Sequence, residues 1–252
     1  MNFSNKLIDW YNLNKRDLPW RLTKDPYRIW VSEIILQQTR IEQGERYHHK
    51  FLKKYPNISY LASTSNDELL KIWEGLGYYS RALNMHKTAL IVQEKFDGKF
   101  PSKYSDLIEL PGIGDYTASA VSSICSDEVQ PVVDGNVLRF LSRLYKIDLP
   151  IDTAKTKTYF KNLGFKLIKG VKPGDFNQAM MDYGSMVCKP RKSGCQDCMF
   201  SSECEAFNTD SVMQYPFKKK KIKTKDRYLN YVVILSDDKK TRIKKRNSEG
   251  IW

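Results

Sequence analysis

The chain has 252 residues, 42 of them Lys or Arg and 29 Asp or Glu, for a formal net charge of +13. With 41% hydrophobic and 12% aromatic residues it holds enough apolar material for one large or two smaller domains, which excludes disorder throughout. No stretch approaches the roughly 20 uncharged apolar residues that span a bilayer, and residues 1–10 lack an apolar signal core, so a cytosolic protein with no membrane role is expected.

The positive balance points to an anionic partner, of which nucleic acid is the commonest. Yet residues 218–252 carry 13 basic and 4 acidic side chains, while residues 1–217 carry 29 and 25. The Lys218–Lys221 run reads as a solvated linker or as an added DNA-contacting patch. The folded body must hold its partner by something other than bulk charge.

Apolar residues recur at helical spacing from Asn2 to Asn12, then Leu18-Pro19-Trp20-Arg21 breaks the pattern. A strong helix is predicted from Pro26 to Ile41. Further helices are predicted over 45–54, 66–73, 79–96, 105–109, 116–126, 136–145, 154–168 and 173–187, with Gly and Pro between them. A strand-like pattern starts only at Tyr228–Leu235. The reading is an all-α body to about Phe207, a linker to about Asp226, then a short β-type start.

Four of the five cysteines form Cys188-x6-Cys195-x2-Cys198-x5-Cys204. Four thiols in a short turn-rich segment make a tetrathiolate metal site, either zinc or an iron–sulfur cluster. Cys125 lies in an apolar helix and reads as a core thiol.

Leu110-Pro111-Gly112-Ile113-Gly114-Asp115-Tyr116 sits between two predicted helices. Gly112 and Gly114 allow a tight turn, and the next helix begins with unpaired N–H groups suited to a phosphate. Read this way it is a helix–hairpin–helix grip on DNA, which adds nothing to net charge; a plain helix–helix turn is the alternative.

Asp134 precedes an apolar helix and reads as an N-cap or as a catalytic carboxylate. Glu33 has Ile29, Trp30, Leu36 and Gln37 as helical neighbours, an apolar setting that raises a carboxyl pKa, unless it is an edge residue of an amphipathic helix. Two carboxyls in unlike environments suit hydrolysis of a glycosidic bond. Gln37-Gln38-Thr39 and Gly75-Leu76-Gly77-Tyr78-Tyr79 place polar and aromatic groups near turns, where they serve as duplex wedges or as caps and core.

Taken in order, LPWR at 18–21, WVSEIILQQTRI at 30–41, GLGYYSRA at 75–82, LPGIGDYTA at 110–118, VDGNVLR at 133–139 and NQAMMDYGSMVC at 177–188 resemble the A/G-specific adenine DNA glycosylases. These form the MutY family of the helix–hairpin–helix iron–sulfur glycosylases. The likeness covers roughly residues 1–207. It implies an all-α, two-lobed fold, with a six-helix barrel lobe at 23–129 and a cluster lobe built from 1–22 and 130–207. A basic linker at 208–226 and an incomplete Nudix-like start at 227–252 follow; selectivity for 8-oxoguanine over guanine rests on that domain in the family.

The resemblance also implies a [4Fe–4S] cluster on Cys188, Cys195, Cys198 and Cys204, and a monomer in a bacterial, nucleoid-associated cytoplasm. The implied substrate is double-stranded DNA with A:8-oxoguanine or A:G pairs. By the same likeness Glu33 is the general acid, Asp134 stabilises the cationic sugar and Tyr116 supports the site. Gln38 and Tyr78 wedge into the duplex, Arg21, Leu36 and Asn136 line the site or touch DNA, and Gly112 and Gly114 grip a phosphate. Endonuclease III enzymes carry Lys where this chain has Tyr116, so a hydrolase of N-glycosyl bonds without strand-cutting lyase activity is expected. Thymine–guanine mismatch glycosylases, which share the hairpin, Tyr, Asp and cluster, are the rival reading; a non-catalytic zinc-containing DNA-binding protein is another.

Overall fold

The computed structural model describes residues 2–191 and 194–219, and beyond them only Asp226, Tyr228, Asp237, Asp238, Lys240 and Thr241. Compactness separates Met1–Lys219 from Lys220–Trp252. The first unit is all-helical, and no strand occurs among the described residues. The strand expected from Tyr228 and the Nudix-like start at 227–252 lie outside the described residues, apart from those isolated positions.

The helices in chain order are α1 (Phe3–Asn14), α2 (Pro26–Leu36), α3 (Ile41–Lys54), α4 (Ile58–Ala62), α5 (Asn66–Trp73) and α6 (Ser80–Lys95). Then come α7 (Tyr104–Leu107), α8 (Asp115–Cys125), α9 (Gly135–Leu144), α10 (Ala154–Leu167), α11 (Pro173–Met186) and α12 (Glu205–Asn208). Local chemistry sets many of the starts. Asp25, Asn57, Ser65, Asp134 and Thr153 each accept a backbone N–H of the helix that follows, and Pro26 and Pro173 supply the fixed φ of a first turn.

Two apolar cores result. Trp30, Ile34, Ile35, Phe51, Tyr55, Trp73, Met85 and Val121 anchor the first, among α2–α8, and Leu18 and Trp20 from the connecting turn join it. Leu7, Phe140, Leu141, Phe160, Phe176, Met180, Tyr183 and Phe200 anchor the second, among α1, α9, α10, α11 and the segment before α12. Burial of each such side chain contributes about 1.5–3 kcal/mol.

The cores meet where α8 packs on α11. There Asn177 accepts from Val132 N at 2.9 Å and donates to Ser123 Oγ at 2.9 Å and Gln130 O at 2.8 Å. A Cβ on Gly174 would meet the Ile124 backbone at 2.9 Å, so the approach is close.

One predicted helix is divided. The span from Pro26 to Ile41 ends at Leu36, and α3 begins anew at Ile41, four residues before its predicted start. The break is tertiary in origin. Arg81 on α6 donates to the carbonyls of Ile34 and Gln37 at 2.8 and 2.7 Å, and Gln38 takes a left-handed φ of 59°. The short helix α4 has no counterpart among the predicted elements.

Candidate active site and thiol cleft

Glu33 stands in the middle of α2, 8% exposed, on the wall of a cleft enclosing about 760 Å³ of atom-free space counted out to its open mouth. The wall brings together Arg16, Trp20, Arg21, Leu36, Tyr116 and Gln178. Arg21 comes from the turn after α1, Glu33 and Leu36 from α2, Tyr116 from α8, and Gln178 from α11, so both cores contribute.

Burial pushes the Glu33 carboxyl up from its usual value near 4.5 to about 7; the Asp134 charge adds to this, while Tyr116 and Arg21 oppose it. A carboxyl held at that value donates a proton near neutrality. Burial also raises the Tyr116 phenol well above 10, with Glu33 and Asp134 adding to the rise. It therefore stays a proton donor. Its hydroxyl points to Met181 Sδ at 3.4 Å, a weak acceptor, and lies within hydrogen-bonding influence of Glu33.

Asp134 caps α9. Its Oδ1 accepts from Asn136 N at 2.9 Å and Val137 N at 2.7 Å, and its Oδ2 from Asn136 Nδ2 at 2.8 Å. The N-cap reading is thus observed, and it does not displace the electrostatic one. The carboxylate is outside the cleft lining, yet its charge acts on both Glu33 and Tyr116. Asn136 is in turn held by Arg139, whose Nη2 reaches Asn136 Oδ1 at 2.9 Å and whose Nε reaches the Cys188 carbonyl at 2.8 Å. Gly184 lets α11 come this close to α9, since a Cβ there would meet Asn136 O at 2.7 Å.

Arg21 does not pair with Glu33. Its Nη1 and Nη2 donate to Asp182 at 2.7 and 2.9 Å, and Arg16 binds the same carboxylate through Nε at 3.0 Å. Asp182 is fully buried, and the two guanidiniums hold its carboxyl below the usual range against the opposing effect of burial. Gln178 accepts from Tyr11 Oη at 3.0 Å. Gln178, Met181 and Asp182 share one face of α11 by their three- and four-residue spacing. They fall inside the 177–188 stretch, but no local pattern separates a cleft residue from a core one there.

The other candidate residues lie away from the cleft. Gln38 is exposed with φ 59°, and Tyr78 is 62% exposed with φ 45°. A non-glycine residue in that region costs on the order of 1–3 kcal/mol. In the hairpin Gly112 has φ 76°, and a Cβ on it would meet Asn84 Cβ at 2.8 Å. Gly114, extended, is the N-cap of α8; a Cβ on it would touch nothing within 4 Å, and no side chain caps the helix. The first amides of α8 are open to a ligand.

Cys188, Cys195, Cys198 and Cys204 line a second cleft, with Phe140, Leu144, Val187 and Arg143. Arg143 Nη1 contacts Cys188 Sγ at 3.5 Å and the Lys189 carbonyl at 2.7 Å, and Tyr183 Oη lies 3.0 Å from Cys198 Sγ. Among the described residues, no three His, Cys, Asp or Glu side chains converge on one point as a single ion demands. Zinc needs all four sulfurs about 2.3 Å from one centre. A polynuclear cluster binds each thiolate at a different metal, and four cysteines around a shared apolar cleft are a donor set that either group accepts.

Residues 31–164 match the family described as HhH-GPD superfamily base excision DNA repair protein. The chain is 38% identical over 255 residues to the adenine DNA glycosylase of Buchnera aphidicola subsp. Schizaphis graminum, covering 99% of this chain and 72% of that protein. It is 41% identical over 214 residues to the adenine DNA glycosylase of Mus musculus, covering 81% of this chain and 42% of that one. Among solved structures, a thermostable thymine-DNA glycosylase superposes with a TM-score of 0.76 at 29% identity, over 82% of this chain and 95% of that one. An endonuclease III–DNA covalent intermediate superposes with a TM-score of 0.70 at 19% identity, over 82% and 94%. The chain belongs to the HhH-GPD superfamily, and within it to the adenine DNA glycosylases. Among the described residues no helix is long and apolar enough to cross a membrane.

Proposed function

We propose that this base excision repair glycosylase hydrolyses the N-glycosidic bond of adenine paired with 8-oxoguanine or guanine in duplex DNA, after the adenine has been flipped into the Glu33 cleft. The observation that carries the reading is Glu33 itself, a buried carboxyl raised to about 7 beside Tyr116 and under the field of Asp134.

Glu33 protonates the departing base as the sugar–nitrogen bond breaks and the bonding pair leaves with adenine. Asp134, fixed by three donors, faces the positive charge left on the sugar. A water then adds to the sugar carbon and gives its proton to the Glu33 carboxylate, which restores the acid. Tyr116 donates a hydrogen bond that orients Glu33. The bond broken is poorly accessible in stacked DNA, hence the flipping step. Gln38 and Tyr78 enter the duplex as wedges, and the Gly112–Gly114 turn with the first amides of α8 holds a phosphate.

No amine stands at position 116, so no Schiff base forms there and the strand is not cut. Cys188, Cys195, Cys198 and Cys204 would hold a [4Fe–4S] cluster, which would tie the end of α11 to the segment before α12.

The test uses duplexes with A:8-oxoguanine, A:G and T:G pairs, assayed for abasic sites with alkali and for breaks without it. Abasic sites from the two adenine pairs are expected, with no breaks before alkali. The 0.76 superposition on a thymine-DNA glycosylase favours a second reading, excision of thymine from T:G pairs. Product from T:G alone would establish that one and overturn the first.

A further inference from the structure

Arg81, in the first turn of α6, lies between the two turns that present Gln38 and Tyr78. Its Nη1 donates to the carbonyls of Ile34 and Gln37 at 2.8 and 2.7 Å, with Ile35 further off at 3.4 Å. Its Nη2 donates to the carbonyls of Leu76 and Gly77 at 3.1 and 3.3 Å. The guanidinium is 5.3 Å from the Trp73 ring centre and 5.5 Å from that of Tyr78. One planar fork thus joins the end of α2, where Gln38 turns left-handed, to the Gly75–Tyr78 turn, where Tyr78 does the same.

Those turns are more than 35 residues apart in sequence; Gln43, in the first turn of α3, also reaches the Gly75 carbonyl, at 3.5 Å. On its own side the Tyr78 turn is held by Tyr47 Oη to the Glu74 carbonyl at 2.6 Å and by Trp73 Nε1 to the Gly77 carbonyl at 3.0 Å. Neither bond reaches the Gln38 turn. A lysine at position 81 would offer one rotating ammonium in place of a rigid fork and could not serve both sides at once.

We propose that Arg81 is a positioning residue that couples the Gln38 and Tyr78 turns, so that both side chains enter the duplex as one unit and mispair discrimination depends on the coupling. This rests on the wedge roles given above. Arg81 is absent from the lining of the Glu33 cleft, so its role is one of positioning.

The experiment is a double-mutant cycle read as discrimination, the ratio of dissociation constants for an A:T duplex and an A:8-oxoguanine duplex. Gln38→Ala, Tyr78→Ala and the double variant are made in the wild-type and Arg81→Lys backgrounds; Arg81→Met is a second removal of the fork. In the wild-type background each single variant lowers discrimination and the double variant falls little further. Arg81→Lys alone lowers discrimination about tenfold, a coupling of ordinary size for residues sharing a network, with A:T affinity and melting temperature near wild type. In its background the two alanine effects multiply independently.

Persistence of the Gln38–Tyr78 coupling in both Arg81 variants overturns the proposal while leaving the wedges in place. A loss of A:T affinity and melting temperature in step with discrimination also overturns it, since that marks general destabilisation. No effect of Gln38→Ala or Tyr78→Ala overturns the wedge assignment itself.

Discussion

Arg21 borders the cleft that holds Glu33, yet both of its terminal nitrogens are bound to Asp182, at 2.7 and 2.9 Å. The buried carboxylate keeps the nearest cation from forming a salt bridge with the acid. Groups facing Glu33 from the surrounding elements are Arg21 and Arg16 of the turn after α1, Tyr116 of α8 and Asp134 at the start of α9. Asp182→Asn releases Arg21, strengthens its pull on Glu33 and favours the carboxylate. The alkaline limb of the excision rate then moves to lower pH in single-turnover assays. Removing one partner of a buried pair also destabilises the fold, by about 3 kcal/mol, which thermal melting measures.

In its proposed role as the acid Glu33 must be protonated, and burial places the loss of that proton at about pH 7. The excision rate is therefore level below that value and falls as pH rises through it. Glu33→Gln ends excision while binding of an A:8-oxoguanine duplex persists. It should also change stability. The folded-state pKa is raised from 4.5, so the carboxyl's contribution is present below pH 4.5 and is lost as pH climbs through about 7. Relative to wild type, Glu33→Gln melts higher at pH 8 than at pH 5, and an equal difference at both pH values would contradict this.

Substitutions separate the observed capping by Asp134 from the charge role proposed for it. Asn is also a good N-cap, so Asp134→Asn keeps α9 and its melting temperature but removes the negative charge; the excision rate drops on the order of a hundredfold or more. Asp134→Ala loses the cap as well and costs about 1 kcal/mol of stability. Equal melting of the two variants would remove Asp134 from its capping role.

The thiol cleft predicts a composition. Purified protein should contain iron and acid-labile sulfide and absorb visible light, and Cys198→Ser should diminish both. One zinc per chain with no colour would instead place a single ion among the four sulfurs. Because Arg139 ties the Cys188 carbonyl to Asn136, and Asn136 holds Asp134, chelation should also slow excision in protein that remains folded.

Much of this was legible in the sequence where local chemistry decides the outcome. Periodicity marks α5 and α10 closely, and the apolar neighbours of Glu33 foretell its raised pKa. What was not legible depends on partners far along the chain. The stop at Leu36 is made by Arg81, 45 residues later, and nothing between Pro26 and Ile41 announces it. Asp182 looks like any helix-borne carboxylate until α11 packs beside the turn that carries Arg16 and Arg21. The five-residue helix α4 is too short for a period to show.

The side chain of Asn177 fixes α11 against both the end of α8 and the link before α9. A cleft shared by two cores so joined has little freedom to close upon what enters it. In the function proposed above, the deformation that brings a base to Glu33 would then fall on the nucleic acid. Base steps that unstack cheaply would be favoured before any group on the base is read, and mechanical softness of the duplex would become part of the selection.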